Sequence, residues 1–192
     1  MNPGKVVQSG KGTARIYDIG DYAARTKESI LDVTTNFKFG IKGPCILFEL
    51  PHFDPTQLVP IDYMHALNEG VNKDLMEMWF GDKHKHLAFN ISKKMNSVDK
   101  ILLKIKPPSM FSRGPRSITY LTHYKASEMR NWFLYYLPTL KGILDEAYLQ
   151  HAFIMTQIMH MALKTDLTSD ELPKLEQLIK GFIKRWGNDI IA

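Results

Sequence analysis

Apolar side chains recur at helical spacing along the second part of the chain. From residue 62 onward, the stretch DYMHALNEGVNKDLMEMWF places apolar residues at steps of three and four, which is the spacing of one helix face. The pattern predicts a helix of about five turns. Its predicted inner face consists of Met64, Leu67, Val71, Leu75 and Met78, and its predicted polar flank consists of Asp62, His65, Glu69 and Asn72.

The same period predicts four further helices. A short one covers residues 97–106 and ends before Pro107, with an inner face of Val98, Ile101, Leu102 and Ile105. Another begins near Ser127 and keeps its period across Pro138, which should kink or divide it. Residues 147–163 are apolar on nearly every side, which is typical of the central helix of a bundle. The last helix follows Asp170 and should bury Leu172, Leu175, Leu178, Ile179, Phe182, Ile183 and Trp186.

The first third of the chain lacks this period. Four glycines within the first twenty residues predict an irregular segment, in which ARIYDI, residues 14–19, is the only strand-like piece. Asp21 is predicted to cap a helix over residues 22–38 that stops at Gly40. The apolar run GPCILFELP, residues 43–51, predicts a buried strand or an extended segment, and the prolines that follow it prevent regular structure up to Asp62.

These patterns together predict a mainly α protein. We interpret residues 1–192 as a single domain, or as part of a larger one, because the sequence contains no internal repeat and no low-complexity linker. Within it, residues 1–60 should be irregular with one helix, and residues 61–192 should be helical.

Composition narrows the environment and the classes of function. Lysine and arginine outnumber the acids by 25 to 20, which mildly favours polyanionic partners such as nucleic acid. The single cysteine, Cys45, excludes a disulfide framework or a cysteine-based zinc site within this chain. The N-terminal residues do not resemble a signal peptide, and no apolar run reaches the roughly 18 residues of a spanning helix. We expect a nuclear or cytoplasmic protein that is not secreted and has no membrane partner.

The spacing Asp62-x-x-His65 is the first candidate for chemistry. Aspartate is a favoured N-cap residue, so Asp62 has a structural explanation that does not exclude a functional one. Asp62 precedes His65 by three residues and Glu69 follows it by four, so either carboxylate could orient the imidazole and raise its pKa. The sequence leaves open whether His65 is functional or an ordinary surface histidine.

Other motifs give weaker signals. His84 and His86 lie in a polar loop, and His151 and His160 should lie on opposite sides of one helix, so neither pair predicts a metal site. The sequence contains no P-loop, no G-x-S-x-G elbow and no H-E-x-x-H pair. Hydrolases and nucleotide-binding enzymes of those types are therefore not supported.

Basic residues concentrate between positions 93 and 130. This basic segment contains Lys93, Lys94, Lys100, Lys104, Lys106, Arg113, Arg116, Lys125 and Arg130. Aromatic residues alternate with them, namely Phe111, Tyr120, Tyr124 and Trp132. Such a mixture suits a phosphate backbone with unstacked bases. The alternative is a solvated basic face whose aromatics belong to the core, and for Trp132 the core interpretation is favoured.

Four separated stretches occur in the same order in one family of proteins. They read GIKGPCILFELPHFD, VPIDYMHALNEGV-x-KDLMEMWF, IKPPSMFSRGPRSI and YKASEMRNWFLYYLPTL. The chain thereby resembles CACTA-type (En/Spm-like) transposases and proteins derived from them. The resemblance implies an RNase H-like catalytic core interrupted by a largely helical segment, and Mg²⁺-dependent cleavage and strand transfer of DNA by three acidic residues. Asp62 and His65 match the family's D-x-x-H motif, to which the resemblance assigns a supporting role.

Departures from the family pattern limit what the resemblance implies. The two catalytic aspartates should lie upstream of Met1 and the glutamate beyond Ala192, with Glu128 as a weaker candidate for the third acid. Asn2 stands where the family has histidine, and Tyr124 stands where it has tryptophan. We therefore expect a catalytically incomplete protein without a cofactor, since Mg²⁺ is implied only for a complete family member.

The basic segment and the resemblance together lead to three expectations about partners. The leading expectation is weak, largely non-specific DNA binding through Lys93, Lys94, Lys100, Lys104, Arg113, Arg116, Lys125 and Arg130. One alternative is a helical protein-interaction module without DNA binding, which associates with itself or with a complete transposase. A third is an active metal-dependent nuclease.

Overall fold

The computed structural model describes residues 5–9, 12–16, 20, 23–34, 43–59 and 61–186 of the chain. These residues are mainly helical, which confirms the predicted fold class at that level. The chain divides into two compact units, Met1–Ile61 and Asp62–Ala192. The interpretation of residues 1–192 as a single domain stays a prediction. No helix among the described residues has the length and apolarity needed to cross a membrane.

The first unit contains a two-stranded antiparallel sheet. Strand β1 (Lys5–Ser9) pairs with β2 (Gly12–Ile16), so that Lys5 lies opposite Ile16 and Ser9 lies opposite Gly12. Strand β2 includes the first three residues of the predicted strand-like piece, and residues 17–19 lie outside the described part. Strand β1 was not predicted, because it has few apolar residues and is defined by its pairing with β2.

Helix α1 (Lys27–Thr34) is shorter than predicted. Residues 23–26 are not helical, so the predicted start after Asp21 is wrong, while Asp21 itself and Gly40 lie outside the described residues. The helix begins where Thr26 and Ser29 bond each other's backbone. The Ser29 N–H donates to Thr26 Oγ1 at 3.2 Å, and the Thr26 N–H donates to Ser29 Oγ at 3.0 Å. This reciprocal arrangement is a capping box with serine in the place of glutamate.

The apolar run before the first prolines is a 3₁₀ turn over Ile46–Glu49, so the predicted strand or extended segment is wrong. The turn closes on itself, since the Phe48 N–H donates to the Cys45 carbonyl at 2.9 Å. Its side chains are not core residues, because Ile46 is 83% exposed and Leu50 is 51% exposed. Turns and bends follow through residue 59, as the prolines predict, and Pro60 lies outside the described part.

The described residues of the second unit, 62–186, contain five α-helices. They are α2 (Lys73–Phe80), α3 (Met95–Leu102), α4 (Ala126–Asn131), α5 (Glu146–Ala162) and α6 (Leu172–Arg185). A π-helical segment, Met64–Asn72, leads into α2 and packs against α4. A second π-helical segment and a 3₁₀ turn continue α4, over Trp132–Tyr136 and Leu137–Leu140.

Helix α5 confirms the prediction of a central helix. It packs against the continuation of α4 on one side and against α6 on another. The core between these elements is closely packed, and Trp79 stacks on Phe133 with ring centres 6.0 Å apart. The side chains with no exposed surface in this core are Met76, Val98, Leu102, Phe133, Leu140, Ala152 and Met159.

The predicted inner face of the first long helix is partly wrong. Met64 is 38% exposed, whereas Asn72, which was predicted on the polar flank, is fully buried. The buried face consists of Asn68, Asn72, Leu75, Met76, Trp79 and Phe80. The π-helical segment explains the difference, because its i→i+5 hydrogen bonds widen the helix and change the angle between successive residues.

Two further inner faces need correction. Ile101 is 45% exposed, although Val98 and Leu102 are buried as predicted. On α6, Phe182 is buried as predicted, but three predicted core residues are exposed, namely Leu172, Ile179 and Ile183. The predicted helical period is correct in both helices. However, the set of residues predicted as the inner face is wider than the face that the neighbouring helices cover.

The helix that was predicted to start near Ser127 is close to expectation. Helix α4 begins at Ala126, and Met129, Trp132, Phe133 and Tyr136 are buried. The predicted break at Pro138 is confirmed, because the chain changes there from π-helical to 3₁₀ geometry.

Candidate nucleic-acid interface

Asp62 starts the first helix of the second unit. Its Oδ1 accepts the Met64 N–H at 2.8 Å, and its backbone carbonyl accepts the Ala66 N–H at 3.0 Å. The side chain therefore satisfies an amide of the first turn, as an N-cap does. The other oxygen, Oδ2, pairs with Nδ1 of His65. Glu69 stands on the far side of the imidazole, with its Oε2 3.9 Å from His65 Nε2.

Asp62 and His65 stabilise each other's charged forms. The hydrogen bond to His65, followed by that to the Met64 N–H, lowers the pKa of Asp62 below 3.8. The bond to Asp62 raises the pKa of His65 above 6.5, and Glu69 adds a smaller effect in the same direction. The side chains of His65 and Asp62 remain 67% and 52% exposed, so solvent screens the pair. The capping prediction is confirmed by this geometry, and a functional role of the pair stays a prediction.

Two buried asparagines lie behind this surface pair. Asn72 Nδ2 donates to Asn68 Oδ1 at 3.2 Å and lies 3.4 Å from Met159 Sδ on α5. The Oδ1 of Asn72 has no hydrogen-bond partner within the described residues. Sequence reasoning missed this buried pair, because asparagines at a spacing of four are indistinguishable from a solvated polar flank.

The basic segment is largely exposed. Its exposed members are Lys93, Lys94, Lys100, Lys104, Lys106, Arg113, Lys125 and Arg130. Among them, Lys94 Nζ donates to the Ile143 carbonyl at 3.0 Å. Asp99 anchors the loop that follows α3, because its Oδ1 accepts the Ile118 N–H at 2.9 Å and its Oδ2 accepts the Ser117 hydroxyl at 2.5 Å. Cations are thus presented on both α3 and an anchored loop, and their binding to DNA stays a prediction.

Arg116 differs from the other cations of the segment. Its Nη2 donates to Glu128 Oε2 at 2.9 Å and to the His123 carbonyl at 2.7 Å. Its guanidinium also lies 5.0 Å from the centre of the Tyr124 ring, whose hydroxyl donates to the Arg116 carbonyl. The charge of Arg116 is therefore already balanced by a carboxylate, which weakens the case for Arg116 as a DNA contact.

Glu128, the weaker candidate for a catalytic acid, has a structural role. It is 6% exposed, and its Oε2 also accepts the Lys125 N–H at 2.9 Å. This bond closes the N-terminus of α4, in which Glu128 is the third residue. Glu128 thus holds both the start of a helix and the Arg116 side chain.

The aromatic residues of the segment divide into exposed and buried members. Tyr120 is 55% exposed and could stack on a base. Phe111 packs edge-on against Tyr135, with ring centres 5.2 Å apart. Burial raises the pKa of Tyr124, and the neighbouring Trp132 partly opposes this shift. Trp132 itself is 1% exposed, which confirms its assignment to the core.

A small pocket lies between the loop before Ser117 and the continuation of α4. Its lining residues are Arg113, Gly114, Pro115, Arg116, Tyr124, Glu128, Asn131, Trp132 and Tyr136. Burial raises the pKa of Tyr136, so its hydroxyl stays protonated at neutral pH. No pattern in the sequence predicts this pocket, because its polar groups come from a loop and a helix that meet only after folding.

The carboxylates described here do not fit the Mg²⁺ site of a complete transposase. A two-metal site needs several carboxylates converging on the ions. Asp62 is bound to His65 and Met64, and the Oε2 of Glu128 is bound to Arg116 and Lys125. Among the described residues, no three histidine, cysteine or acidic side chains are grouped so that they could share an ion.

His151 and His160 differ in exposure, as expected for two residues on opposite sides of one helix. His151 is 1% exposed, and His160 on the same helix is exposed. His151 stacks on Phe182 with ring centres 4.2 Å apart, and its Nε2 lies 3.0 Å from the Phe182 carbonyl. This histidine therefore joins α5 to α6.

Comparisons with models of protein families, with curated protein sequences and with solved structures find no match to this chain. The resemblance to CACTA-type transposases therefore stays a prediction from the four sequence stretches quoted above.

Proposed function

We propose that the chain is a transposase-derived protein that binds DNA weakly and without strong sequence preference. The observation that carries the proposal is the exposure of eight cations between Lys93 and Arg130. Cations on a surface bind phosphates by displacing condensed counterions, and this attraction does not depend on base sequence. A nuclear location is part of the same proposal.

The helical unit would correspond to the helical segment that interrupts the RNase H-like core in the family. Asp62 and His65 lie at the start of this unit and match the D-x-x-H motif of the resemblance. Their side chains are exposed, so the pair would be accessible to DNA. No step of cleavage is assigned to them, since the carboxylates described here do not form a metal site.

The experiment is a titration of two fluorescent duplexes of unrelated sequence at several salt concentrations. We expect similar affinities for both duplexes and a log–log slope of about −3 to −4, which corresponds to roughly three to five neutralised phosphates at about −0.9 each. A binding signal that did not change with salt would contradict the proposal.

A second candidate function is a protein-interaction module that associates through α6. The observation that favours it is the exposed apolar face of Leu172, Ile179 and Ile183. The partner that fits best is a second copy in antiparallel orientation, because acidic Asp166 and Asp170 lie near one end of α6 and basic Lys184 and Arg185 lie at the other. Sedimentation equilibrium without DNA tests this candidate, which predicts a dimer that dissociates when the three apolar residues become serine.

A further inference from the structure

The pocket beside Arg116 collects most of the unpaired buried polar atoms found in the described part of the chain. Five buried side-chain atoms have no hydrogen-bond partner there, and four of them belong to residues that line this pocket. They are Arg116 Nε, Asn131 Oδ1, Trp132 Nε1 and Tyr136 Oη; Trp132 Nε1 is near enough to the Tyr124 hydroxyl to lower the pKa of Tyr124, but the two groups do not meet the geometry of a hydrogen bond. Asn131, Trp132 and Tyr136 are respectively 6%, 1% and 4% exposed.

Such a concentration of unpaired groups indicates an occupant. Leaving a buried donor or acceptor unsatisfied is unfavourable, so four such atoms around one pocket favour the entry of a polar group. The pocket is small, with room for about one water molecule or one oxygen atom of a larger ligand. A single oxygen that accepts several hydrogen bonds would fit this space.

The donors and charges favour an oxygen that carries negative charge. Arg116 Nε, Trp132 Nε1 and the Tyr136 hydroxyl all donate, and the Asn131 carboxamide can present either its oxygen or its amino group. Glu128 contributes one negative charge to the lining, but Arg116 balances it. Arg113, exposed at the same pocket, adds a positive charge that no acid of the lining offsets.

We propose that this pocket binds one oxygen of a phosphate group, supplied either by free phosphate or by the DNA backbone. In the second case the proposal rests on the proposed DNA binding and assigns a defined contact point to it. Binding of an oxyanion by several N–H and O–H donors with an adjacent arginine is a general mode of phosphate recognition.

The indole N–H groups provide a direct probe. The chain has three tryptophans, Trp79, Trp132 and Trp186, and the pocket contains only Trp132. In ¹H–¹⁵N spectra of the full chain, titration with inorganic phosphate should move the Trp132 Nε1–H resonance and leave those of Trp79 and Trp186 nearly unchanged. Trp132→Phe assigns the resonance, and sodium chloride at equal ionic strength serves as the control titration.

Two conservative variants test the assigned groups. Tyr136→Phe removes one donor while it keeps the ring, and it should weaken phosphate binding about three- to tenfold. Arg113→Gln removes the uncompensated charge at an exposed position and should weaken it about tenfold. Lys174→Gln, which removes another exposed cation on α6, should leave the phosphate affinity unchanged.

A second titration, with a short duplex, distinguishes the two sources of phosphate. Movement of the Trp132 resonance with both ligands supports the backbone contact, and movement with inorganic phosphate alone supports a free-anion site. If duplex binds in a salt-dependent way while neither ligand moves this resonance, the pocket holds only water, and this proposal fails while the proposed function stands. If inorganic phosphate moves the resonance and no duplex binds, the proposed function fails instead.

Discussion

Asp62 binds His65 through one carboxylate oxygen while its other oxygen caps the helix that carries His65. Oδ1 accepts the Met64 N–H at 2.8 Å, and Oδ2 pairs with Nδ1 of the imidazole. The Asp62 side chain therefore both caps a helix and forms a charged surface pair, and substitutions can separate these two roles.

The first prediction concerns the pH range of this pair. Because the pKa of His65 is raised, its contribution to stability is fully present below pH 6.5 and is lost as the pH rises through the raised value. Because the pKa of Asp62 is lowered, its contribution is present above pH 3.8 and is lost as the pH falls through the lowered value. An NMR titration should therefore show His65 titrating above its ordinary pKa.

Asp62→Asn separates the charge from the cap. Asparagine keeps an oxygen for the first-turn amide, so thermal stability should change little, while the pKa of His65 should return toward 6.5. Asp62→Ala removes both roles and should also lower the melting temperature. Glu69→Gln is the matched control and should move the pKa of His65 less. An unchanged His65 pKa in Asp62→Asn would contradict the pairing.

The second prediction concerns Glu128. Glu128→Ala should lower the free energy of unfolding by about 2–3 kcal/mol, since it leaves Arg116 without its carboxylate and α4 without its capping bond. The loss should be smaller than for a fully buried pair, because the Arg116 side chain is 34% exposed. Glu128→Gln keeps an acceptor for the Lys125 N–H and should cost less. Equal losses in the two variants, measured by urea unfolding, would show that the charge is unimportant.

The helical period made most of the second unit predictable. The α4 residues Met129, Trp132 and Phe133 are buried as expected, because an apolar period read across a whole helix identifies its inner face. The first long helix shows the limit of this reasoning. Its π-helical turns rotate the buried face, so that Asn72 is buried and Met64 is not.

Pairings between distant segments were the least predictable part. The ion pair of Arg116 and Glu128 joins residues twelve positions apart, and no local pattern distinguishes Arg116 from the exposed cations around it. The Asp62–His65 pair was predictable, because residues three apart on one helix are neighbours whatever the tertiary structure. The pocket around Trp132 was not predictable, since the relevant atoms meet only after folding.

The third prediction concerns the orientation of α6. Ile179→Lys and Ile183→Lys should each change stability by no more than about 0.5 kcal/mol, because these side chains are 39% and 45% exposed. Phe182→Ala, next to Ile183, should cost about 3–5 kcal/mol, because the ring is 5% exposed and stacks on His151. Thermal melts of the three variants measure these stability losses. A large loss in either lysine variant would mean that the face is covered.

The central claim is that the exposed cations of the basic segment bind DNA, and charge reversal tests it most directly. The test variant carries Lys100→Glu, Lys104→Glu and Arg113→Glu. The matched control carries Lys174→Glu, Lys184→Glu and Arg185→Glu, which changes the net charge equally at exposed positions of α6. The measurement is the dissociation constant for one duplex as a function of salt. We expect the test variant to lose nearly all affinity and the control to keep a slope of about −3 to −4. Equal affinities of the two variants, at every salt concentration, would contradict the claim.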